Sequence, residues 1–255
     1  HPLGCSDAVV AFIIDSKTQK SHAHDPSDDE GPEVIVASVP VVSPQAVIFD
    51  VGGVLVGSPF LAALRWAKDW DLPQAALAKL FGEYSRSVQP GEQPPMWHEV
   101  ECGRVALAEF VEHMGLILGP ELPKGHKARG LTASDFDPFA EAEPIPIMIE
   151  LAEEIRDSGI RTAILTNNVK EWGKWRDRIP IEHFDPVIDS CEVGVRKPDP
   201  AVYSLICNRM GIAPSSCLFL DDYPGNVEAA LTAGLDALQV TEDFATAASK
   251  VRERL

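Results

Sequence analysis

The sequence is short of positive charge and contains no long apolar run. Only 22 basic side chains stand against 39 acidic ones in 255 residues, so the formal net charge is −17. A surface this acidic repels nucleic acids and anionic membranes, and no apolar run is long enough to cross a bilayer. We therefore expect neither a nucleic acid nor a membrane as a partner. A phosphorylated substrate would need cations gathered at its binding site.

Cysteine is also scarce, and the sequence has no visible internal repeat. An odd number of cysteines without a signal-peptide pattern favours a reducing compartment, so we expect a cytoplasmic protein. The five cysteines lack the paired spacing typical of a metal site; they are Cys5, Cys102, Cys191, Cys207 and Cys217.

Residues 1–44 differ in composition from the rest of the chain. Ser16–Pro32 is polar and acidic and contains two prolines. Such a segment cannot bury enough apolar surface to offset the entropy that it loses on ordering. We expect residues 1–44 to be a tail that is mostly disordered or loosely docked. Its apolar stretch, Val34–Val42, is the part that could lie against the core.

The most informative stretch is an apolar run that ends in a carboxylate and is followed by two glycines. Ala46–Phe49 is apolar, Asp50 follows it, and Gly52 and Gly53 come next but one. A short apolar run bounded by turn residues is typical of a buried parallel strand. The carboxylate then lies at the carboxyl end of the strand, where open α/β sheets bind their ligands. The glycines allow the backbone to turn sharply and to approach a ligand closely.

Strand and helix patterns alternate from residue 145 onward, which is typical of βαβ units and a parallel sheet. Residues 60–143 instead show helical periodicity with no strand pattern. We expect an α/β core formed by residues 45–59 and 144–255, with a helical cap at residues 60–143. After Ala46–Asp50, the predicted strands are Arg161–Leu165, Val187–Ile188, Cys217–Leu220 and Ala237–Val240. The predicted helices are Phe60–Trp70, Pro73 to about Ser87, Trp97–Met114 with a break at Gly103, Ile147–Ser158, Pro200–Met210 and Asn226–Ala233.

Polar residues follow four of the predicted strands. Taken singly, each has a structural explanation as a turn residue, a helix cap or a solvated loop residue. Because parallel strands end at one edge of their sheet, however, these side chains should converge there. They are Asp50, Thr166 with Asn167, Lys197, and Asp221 with Asp222.

The order and spacing of these segments resemble the haloacid dehalogenase superfamily. Four motifs carry the resemblance: Val47–Val54, Ala163–Asn167, Arg196–Asp199 and Phe219–Asn226. Together they cover roughly residues 46–240. The resemblance implies a Rossmann-like parallel sheet with a helical cap inserted after the first core strand.

Within that superfamily, the sequence is most similar to one branch. This branch includes the phosphatase domain of soluble epoxide hydrolase and the N-terminal domain of an acyl-CoA dehydrogenase relative. Val100–Val105, in the predicted cap, looks like a stretch of the helical cap of that branch.

The resemblance implies a nucleophile and a metal site. Asp50 would attack phosphorus and form an aspartyl phosphate; a carboxylate is ionised at neutral pH and needs no base for this. Mg²⁺ would be bound by Asp50, the backbone carbonyl of Gly52 and Asp222, because hard oxygen ligands suit this ion. Asp221 would be a further ligand or would orient a bound water.

The resemblance also implies a phosphate site. Thr166 and the Asn167 amide would hold phosphate oxygens, together with the turn at Gly52 and Gly53. Lys197 would balance the charge between nucleophile and phosphate. Positioning and electrostatic stabilisation of this kind carry most of phosphoryl transfer.

One position departs from the family pattern, since Gly52 stands where most phosphatases of the superfamily have a second Asp. That Asp protonates the leaving group and later activates water, and such general acid–base catalysis contributes roughly 10²–10⁴-fold. Some active phosphatases of the superfamily share the Asp-x-Gly pattern, so Gly52 does not rule out activity. The missing acid favours a good leaving group, such as an acyl or anomeric phosphate, or an acid supplied by the cap or the substrate. The candidates in the cap are His98, Glu99, Glu101 and Arg104, which could equally form a polar helix face.

The leading hypothesis is therefore a Mg²⁺-dependent phosphatase of small phosphorylated metabolites. A 2-haloacid dehalogenase with the same nucleophile is an alternative, although Gly52 and the pair Asp221 and Asp222 argue against it. A catalytically weak or inactive binding module is the third, and Gly52 with the acidic tail keeps it open.

Overall fold

A five-stranded parallel sheet forms the centre of the computed structural model, which describes residues 43–85, 88, 92–137 and 142–255. Its strands are β1 (Ala46–Phe49), β2 (Arg161–Thr166), β3 (Val187–Asp189), β4 (Cys217–Asp221) and β5 (Asp236–Gln239). Their order across the sheet is β3-β2-β1-β4-β5, with β1 in the middle. All four neighbouring pairs are parallel, which confirms the predicted α/β class.

Strand β1 is apolar along its whole length because it is buried on both faces. All four of its residues are buried, as is typical of a parallel strand covered by helices on either side. Ile48 pairs with Ala163 of β2 and with Phe219 of β4. The backbone N–H of Asp50 continues the ladder by donating to the carbonyl of Leu220 at 2.8 Å. The nucleophile predicted from the sequence therefore begins the loop that leaves the central strand.

Helices cover both faces of the sheet and give it three layers. On one face, Phe49 packs in a cluster with Leu151 of the helix Pro146–Asp157. On the other face, Ile48 packs with Ile206 of the helix Pro200–Met210. Within the described residues the α-helices are α1 (Pro59–Asp69), α2 (Gln74–Ser85), α3 (Met96–Glu101), α4 (Leu107–Leu118), α5 (Pro146–Asp157), α6 (Ser190–Val193), α7 (Pro200–Met210), α8 (Pro224–Thr232) and α9 (Phe244–Arg252). Short 3₁₀ helices lie at Gly119–Glu121, Lys127–Gly130, Ala133–Asp135, Gly173–Asp177, Ile181–His183 and Pro214–Ser216.

Helices α1–α4 belong to a helical insert, residues 59–137, that separates β1 from β2 in sequence. Its described residues contain no strand and enclose an apolar cluster of their own. The ring centroid of Trp97 lies 5.0 Å from that of Phe110 and 5.5 Å from that of Trp172. Trp172 comes from the loop after β2, and its indole N–H donates to the carbonyl of Phe136 at 3.0 Å. The core therefore contributes a side chain to the interior of the helical insert.

Several predicted elements differ from the observed ones. The predicted break at Gly103, where φ is +67°, does separate two helices, but the second of them, α4, runs on to Leu118 instead of ending at Met114. Strand β2 runs on to Thr166. Helix α9 was not predicted, although the side chain of Asp243 accepts from the N–H of Thr246 at its start. The tail was predicted for residues 1–44, and residues 1–42 of it lie outside the described residues.

None of the described helices combines the length and the apolar character that crossing a membrane requires. The four described cysteines are all free.

Removing a side chain from the layer between the sheet and α5 should destabilise the protein strongly. Leu151 is fully buried, and we expect Leu151→Ala to lower the free energy of unfolding by about 2–5 kcal/mol, because the cavity cannot fully collapse. Leu231, which is 51% exposed, is the matched control, and Leu231→Ala should cost less than about 0.5 kcal/mol. Urea unfolding measures both variants. Equal losses would contradict the observed layering.

Candidate active site

Residues from three neighbouring strands meet at the carboxyl edge of the sheet. Asp50 follows β1, Thr166 ends β2 on one side of it, and Asp221 ends β4 on the other side. Thr166 and Asp221 are buried. The sheet order therefore brings these predicted side chains to one edge, although Asp50 and Asp221 are 171 positions apart in sequence.

A buried lysine bridges two of the carboxylates. The Nζ atom of Lys197 lies 2.9 Å from Oδ2 of Asp50 and 2.6 Å from Oδ2 of Asp221. The side chains of Lys197 and Asp221 are 0% exposed, and that of Asp50 is 11% exposed. Nζ also lies 5.4 Å from the ring centroid of Phe219, as in a cation–π contact. Because Lys197 has no solvent around it, these partners hold its ammonium group in one position.

Asp222 completes a cluster of three carboxylates. Asp50, Asp221 and Asp222 each offer an oxygen atom that lies within 4.8 Å of the others. Burial raises the pKa of Asp50 to about 8; Lys197 opposes the rise and the other two carboxylates add to it. Burial and the charge of Asp221 likewise raise the pKa of Asp222 to about 7. Three carboxylates thus face a single ammonium group, so the cluster contains more acidic groups than basic ones.

The lysine responds in the opposite way to the same surroundings. Burial alone would lower the pKa of Lys197, but Asp221 and Asp50 together raise it above its ordinary value. Lys197 is therefore charged at neutral pH, as an ion-pair partner must be.

The two glycines after Asp50 differ in backbone conformation and surroundings. Gly53 has φ +73°, and a Cβ atom there would collide with the carboxylate of Asp222. Only glycine therefore allows Asp222 to lie against this turn. Gly52 is buried, has no positive φ, and forms a bridge with Val56. The N–H of Val51 donates to Oδ1 of Asp50 at 2.7 Å and so fixes the carboxylate.

The side chain of Asn167 holds the backbone of Lys197. Its Nδ2 donates to the carbonyl of Lys197 at 2.9 Å, and its Oδ1 accepts from the N–H of Lys197 at 2.8 Å. This pair of hydrogen bonds ties the loop after β2 to the segment that carries the lysine. The side-chain amide of Asn167 is thus committed to Lys197, which the sequence did not indicate.

Asn226 is a site residue that the sequence analysis quoted in a motif without assigning it a role. Its Nδ2 lies 3.0 Å from Oδ1 and 3.1 Å from Oδ2 of Asp221. The N–H of Tyr223 donates to Oδ1 at 2.8 Å. Together with Lys197, these donors saturate the carboxylate of Asp221. The available signal was spacing, since a side chain in the first turn of α8 can reach back to the end of β4.

A fourth carboxylate at a strand end was also missed. Asp189 ends β3 and is fully buried. It accepts from Nδ2 of Asn168 at 2.9 Å, pairs with Arg176 at 3.1 Å and caps α6 through the N–H of Cys191. The cluster of metal-ligating groups found among the described residues does not include Asp189. Its role is to hold the loops around β3.

The acid candidates in the helical insert are in ion pairs or other contacts. Glu99 pairs with Arg104 at 2.6 Å. Glu101 is buried, and its Oε2 lies 2.6 Å from Nε of Arg196. His98 also has an interaction partner. The structure therefore places Glu101 beside the residue before Lys197 rather than beside Asp50.

A scan of known protein families identifies this chain. The model of the haloacid dehalogenase-like hydrolases matches residues 44–234, which include all the site residues described above.

Curated relatives agree with that match. Acyl-CoA dehydrogenase family member 10 of Mus musculus is 31% identical over 202 residues, which are 77% of this chain and 18% of that protein. Bifunctional epoxide hydrolase 2 of Mus musculus is 32% identical over 207 residues, 75% of this chain and 35% of that protein. Phosphatase MT3486 of Mycobacterium tuberculosis is 34% identical over 140 residues, 53% of this chain and 64% of that protein. The chain spans less than two thirds of each relative's own length.

Solved structures share the fold. A HAD family enzyme of Bacteroides thetaiotaomicron, solved as a wild-type complex with magnesium and inorganic phosphate, has a TM-score of 0.57 and 19% sequence identity. The alignment covers 79% of this chain and 98% of that one. The resemblance predicted from four motifs is confirmed, and this chain belongs to the haloacid dehalogenase-like hydrolase family.

Proposed function

We propose that this protein is a Mg²⁺-dependent phosphatase of small phosphorylated metabolites, with Asp50 as its nucleophile. One observation carries the proposal: three carboxylates and one fully buried lysine converge at the carboxyl edge of the sheet. Packing alone does not explain such a cluster, because burying like charges together is costly unless a further charge compensates them. Relatives named as phosphatases, and the Bacteroides enzyme solved with magnesium and phosphate, support the same chemistry.

The donor set fits a hard divalent cation. Carboxylate and carbonyl oxygens are the ligands that Mg²⁺ prefers, with one or two protein carboxylates and the rest water or substrate. Asp50, Asp222 and the backbone carbonyl of Gly52 would hold the ion. The carboxylate of Asp221 already accepts hydrogen bonds from Lys197, Tyr223 and Asn226. It would orient the groups around the ion rather than bind the ion itself. When bound, the ion supplies positive charge to the phosphate oxygens and to the carboxylates.

The chain's own residues account for the covalent step. An oxygen of Asp50 attacks phosphorus, the bond between phosphorus and the leaving oxygen breaks, and the phosphoryl group stays on the carboxylate. Water then attacks the phosphorus of this acyl phosphate and releases inorganic phosphate and free Asp50. Lys197 offsets the negative charge shared by the nucleophile and the phosphoryl group. Thr166 and the backbone N–H of Asn167 bind phosphate oxygens at the end of β2.

Gly52 narrows the class of substrate. Position 52 has no side chain to donate a proton. Lys197 is bound to two carboxylates, and Glu101 is paired with Arg196. We therefore propose that the leaving group departs with little proton assistance, as an acyl phosphate or an anomeric phosphate does. The helical insert, acting as a cap over this edge, would select the rest of the substrate.

Hydrolysis assays with a nucleophile variant test the proposal directly. We expect Mg²⁺-dependent release of phosphate from acetyl phosphate and p-nitrophenyl phosphate, and its loss in EDTA. Asp50→Asn should lower kcat by roughly 10³-fold or more, because it removes the nucleophile. Asp157→Asn, at an exposed ion pair with Arg156, is the matched control and should retain activity. Absence of turnover would favour an inactive binding module, and metal-free chloride release from a 2-haloacid would favour a dehalogenase.

The dependence on the leaving group tests the role of Gly52. We expect log kcat/KM to fall steeply as the pKa of the leaving alcohol or acid rises. Gly52→Asp should raise activity on alkyl phosphates by up to roughly 10²–10⁴-fold, because a general acid is restored. Gly52→Asn has the same shape without the proton and should give no gain. A flat dependence in the unchanged protein would show that another group donates the proton.

Stability should depend on pH through the carboxylate cluster. In the folded protein the pKa of Asp50 is about 8 instead of 3.8, so the folded state binds a proton that the unfolded state releases at lower pH. The free energy of unfolding should therefore fall as pH rises from 5 to 8, by roughly 1–3 kcal/mol in EDTA. Millimolar Mg²⁺ should raise it again at pH 8, because the ion binds the ionised form.

Guanidinium unfolding with and without Mg²⁺ measures this effect. Asp50→Asn removes one titrating group, so its dependence on pH should be shallower. The same slope in the variant would contradict the raised pKa of Asp50, and no stabilisation by Mg²⁺ would argue against a metal site at these carboxylates.

A further inference from the structure

The end of helix α3 lies directly on the segment that leads to Lys197. The hydroxyl of Ser190 donates to the backbone carbonyl of Glu101 at 2.6 Å. Arg104 donates through Nη1 to the carbonyl of Gly194 at 2.8 Å. A Cβ atom at Gly103 would collide with the carbonyl of Cys191, so only a glycine permits this close approach. Three successive contacts thus run along residues 190–194.

A buried ion pair continues this junction up to the residue before the lysine. Oε2 of Glu101 lies 2.6 Å from Nε of Arg196, and the two side chains are 11% and 19% exposed. The side chain of Trp97, in the apolar cluster of the helical insert, hydrogen-bonds to Glu101. The pair therefore links the interior of the helical insert to the core at a place with little solvent.

The position of Arg196 connects this pair to the chemistry of the site. Arg196 is joined by one peptide bond to Lys197, and Nζ of Lys197 reaches Asp50 at 2.9 Å. Asn167 holds the backbone of Lys197 from the β2 side. Residues 190–197, which we call the lysine segment, are therefore held on two sides. Asn167 of the core holds them on one side, and Glu101 of the helical insert holds them on the other.

We propose that Glu101 and Arg196 form a latch that holds the helical insert on the lysine segment, and that Glu101 is thereby a positioning residue for Lys197. The kinetic part of this inference depends on the proposed phosphatase activity, and the structural part does not. When the latch is closed, the end of α3 is held against residues 190–196. When it opens, the segment that carries Lys197 loses one of its two supports.

Hydrogen exchange tests the latch without any assay of activity. Glu101→Gln keeps the shape of the side chain and removes its charge, which leaves Arg196 buried without a counter-charge. We expect amide exchange in residues 96–103 and 190–197 to become on the order of 100-fold faster, and exchange in β1 and β4 to stay unchanged. Glu154→Gln, at the exposed pair with Arg252, is the matched control and should leave both regions unchanged. Unchanged exchange in Glu101→Gln, or a uniform increase that includes β1 and β4, would overturn the latch.

A double variant separates positioning from simple loss of stability. Glu101→Gln combined with Arg196→Gln leaves no unpaired buried charge, so its melting temperature should recover most of what Glu101→Gln loses. If Glu101 positions Lys197, kcat should stay lower by about tenfold in both the single and the double variant, because a small displacement of a charged group is costly. Recovery of kcat together with the melting temperature would overturn the positioning role. If the unchanged protein has no phosphatase activity, the proposed function fails and the exchange experiment alone decides the latch.

Discussion

The site depends on an excess of buried negative charge around one lysine. Asp50, Asp221 and Asp222 share a space in which Lys197 supplies the only ammonium group among the residues that the structure describes there. In such surroundings a carboxylate keeps its proton more readily, and the pKa values of Asp50 and Asp222 rise accordingly. This imbalance makes the edge receptive to a cation.

The surrounding structure serves to hold that charge cluster in place. The hydrogen-bond ladder between β1 and β4 fixes the backbone of Asp50, and the turn at Gly53 leaves room for Asp222. Asn226 and Tyr223 donate hydrogen bonds to the carboxylate of Asp221. Burying these carboxylates together is unfavourable for folding. The two apolar layers that cover the sheet offset this free energy, since burial of apolar surface is the main favourable contribution to folding. The helical insert adds its own apolar cluster and contacts the core beside the lysine.

Much of the fold could be predicted because parallel strands and amphipathic helices have distinct periods. The five strands and helices α5 and α7 lie within a residue or two of their predicted bounds. Helix α9 was missed because its apolar face is made largely of alanines, such as Ala247 and Ala248, which give a weak pattern. In the site, the residues at strand ends were recognisable by type and position. The hydrogen bonds of Asn167 to Lys197 were not, because they join loops that are 30 positions apart.

The sequence by itself determined the class of fold, the four motifs and the set of polar residues at the strand ends. These follow from local order, since a strand that ends in a carboxylate carries that carboxylate to the sheet edge in any parallel arrangement. Only the tertiary structure decided which groups touch: that Lys197 bridges Asp50 and Asp221, that Asn226 saturates Asp221, and that Glu101 pairs with Arg196. The physical reason is that hydrogen bonds and ion pairs require atoms about 3 Å apart, and such proximity between distant residues is set by the packing of whole elements.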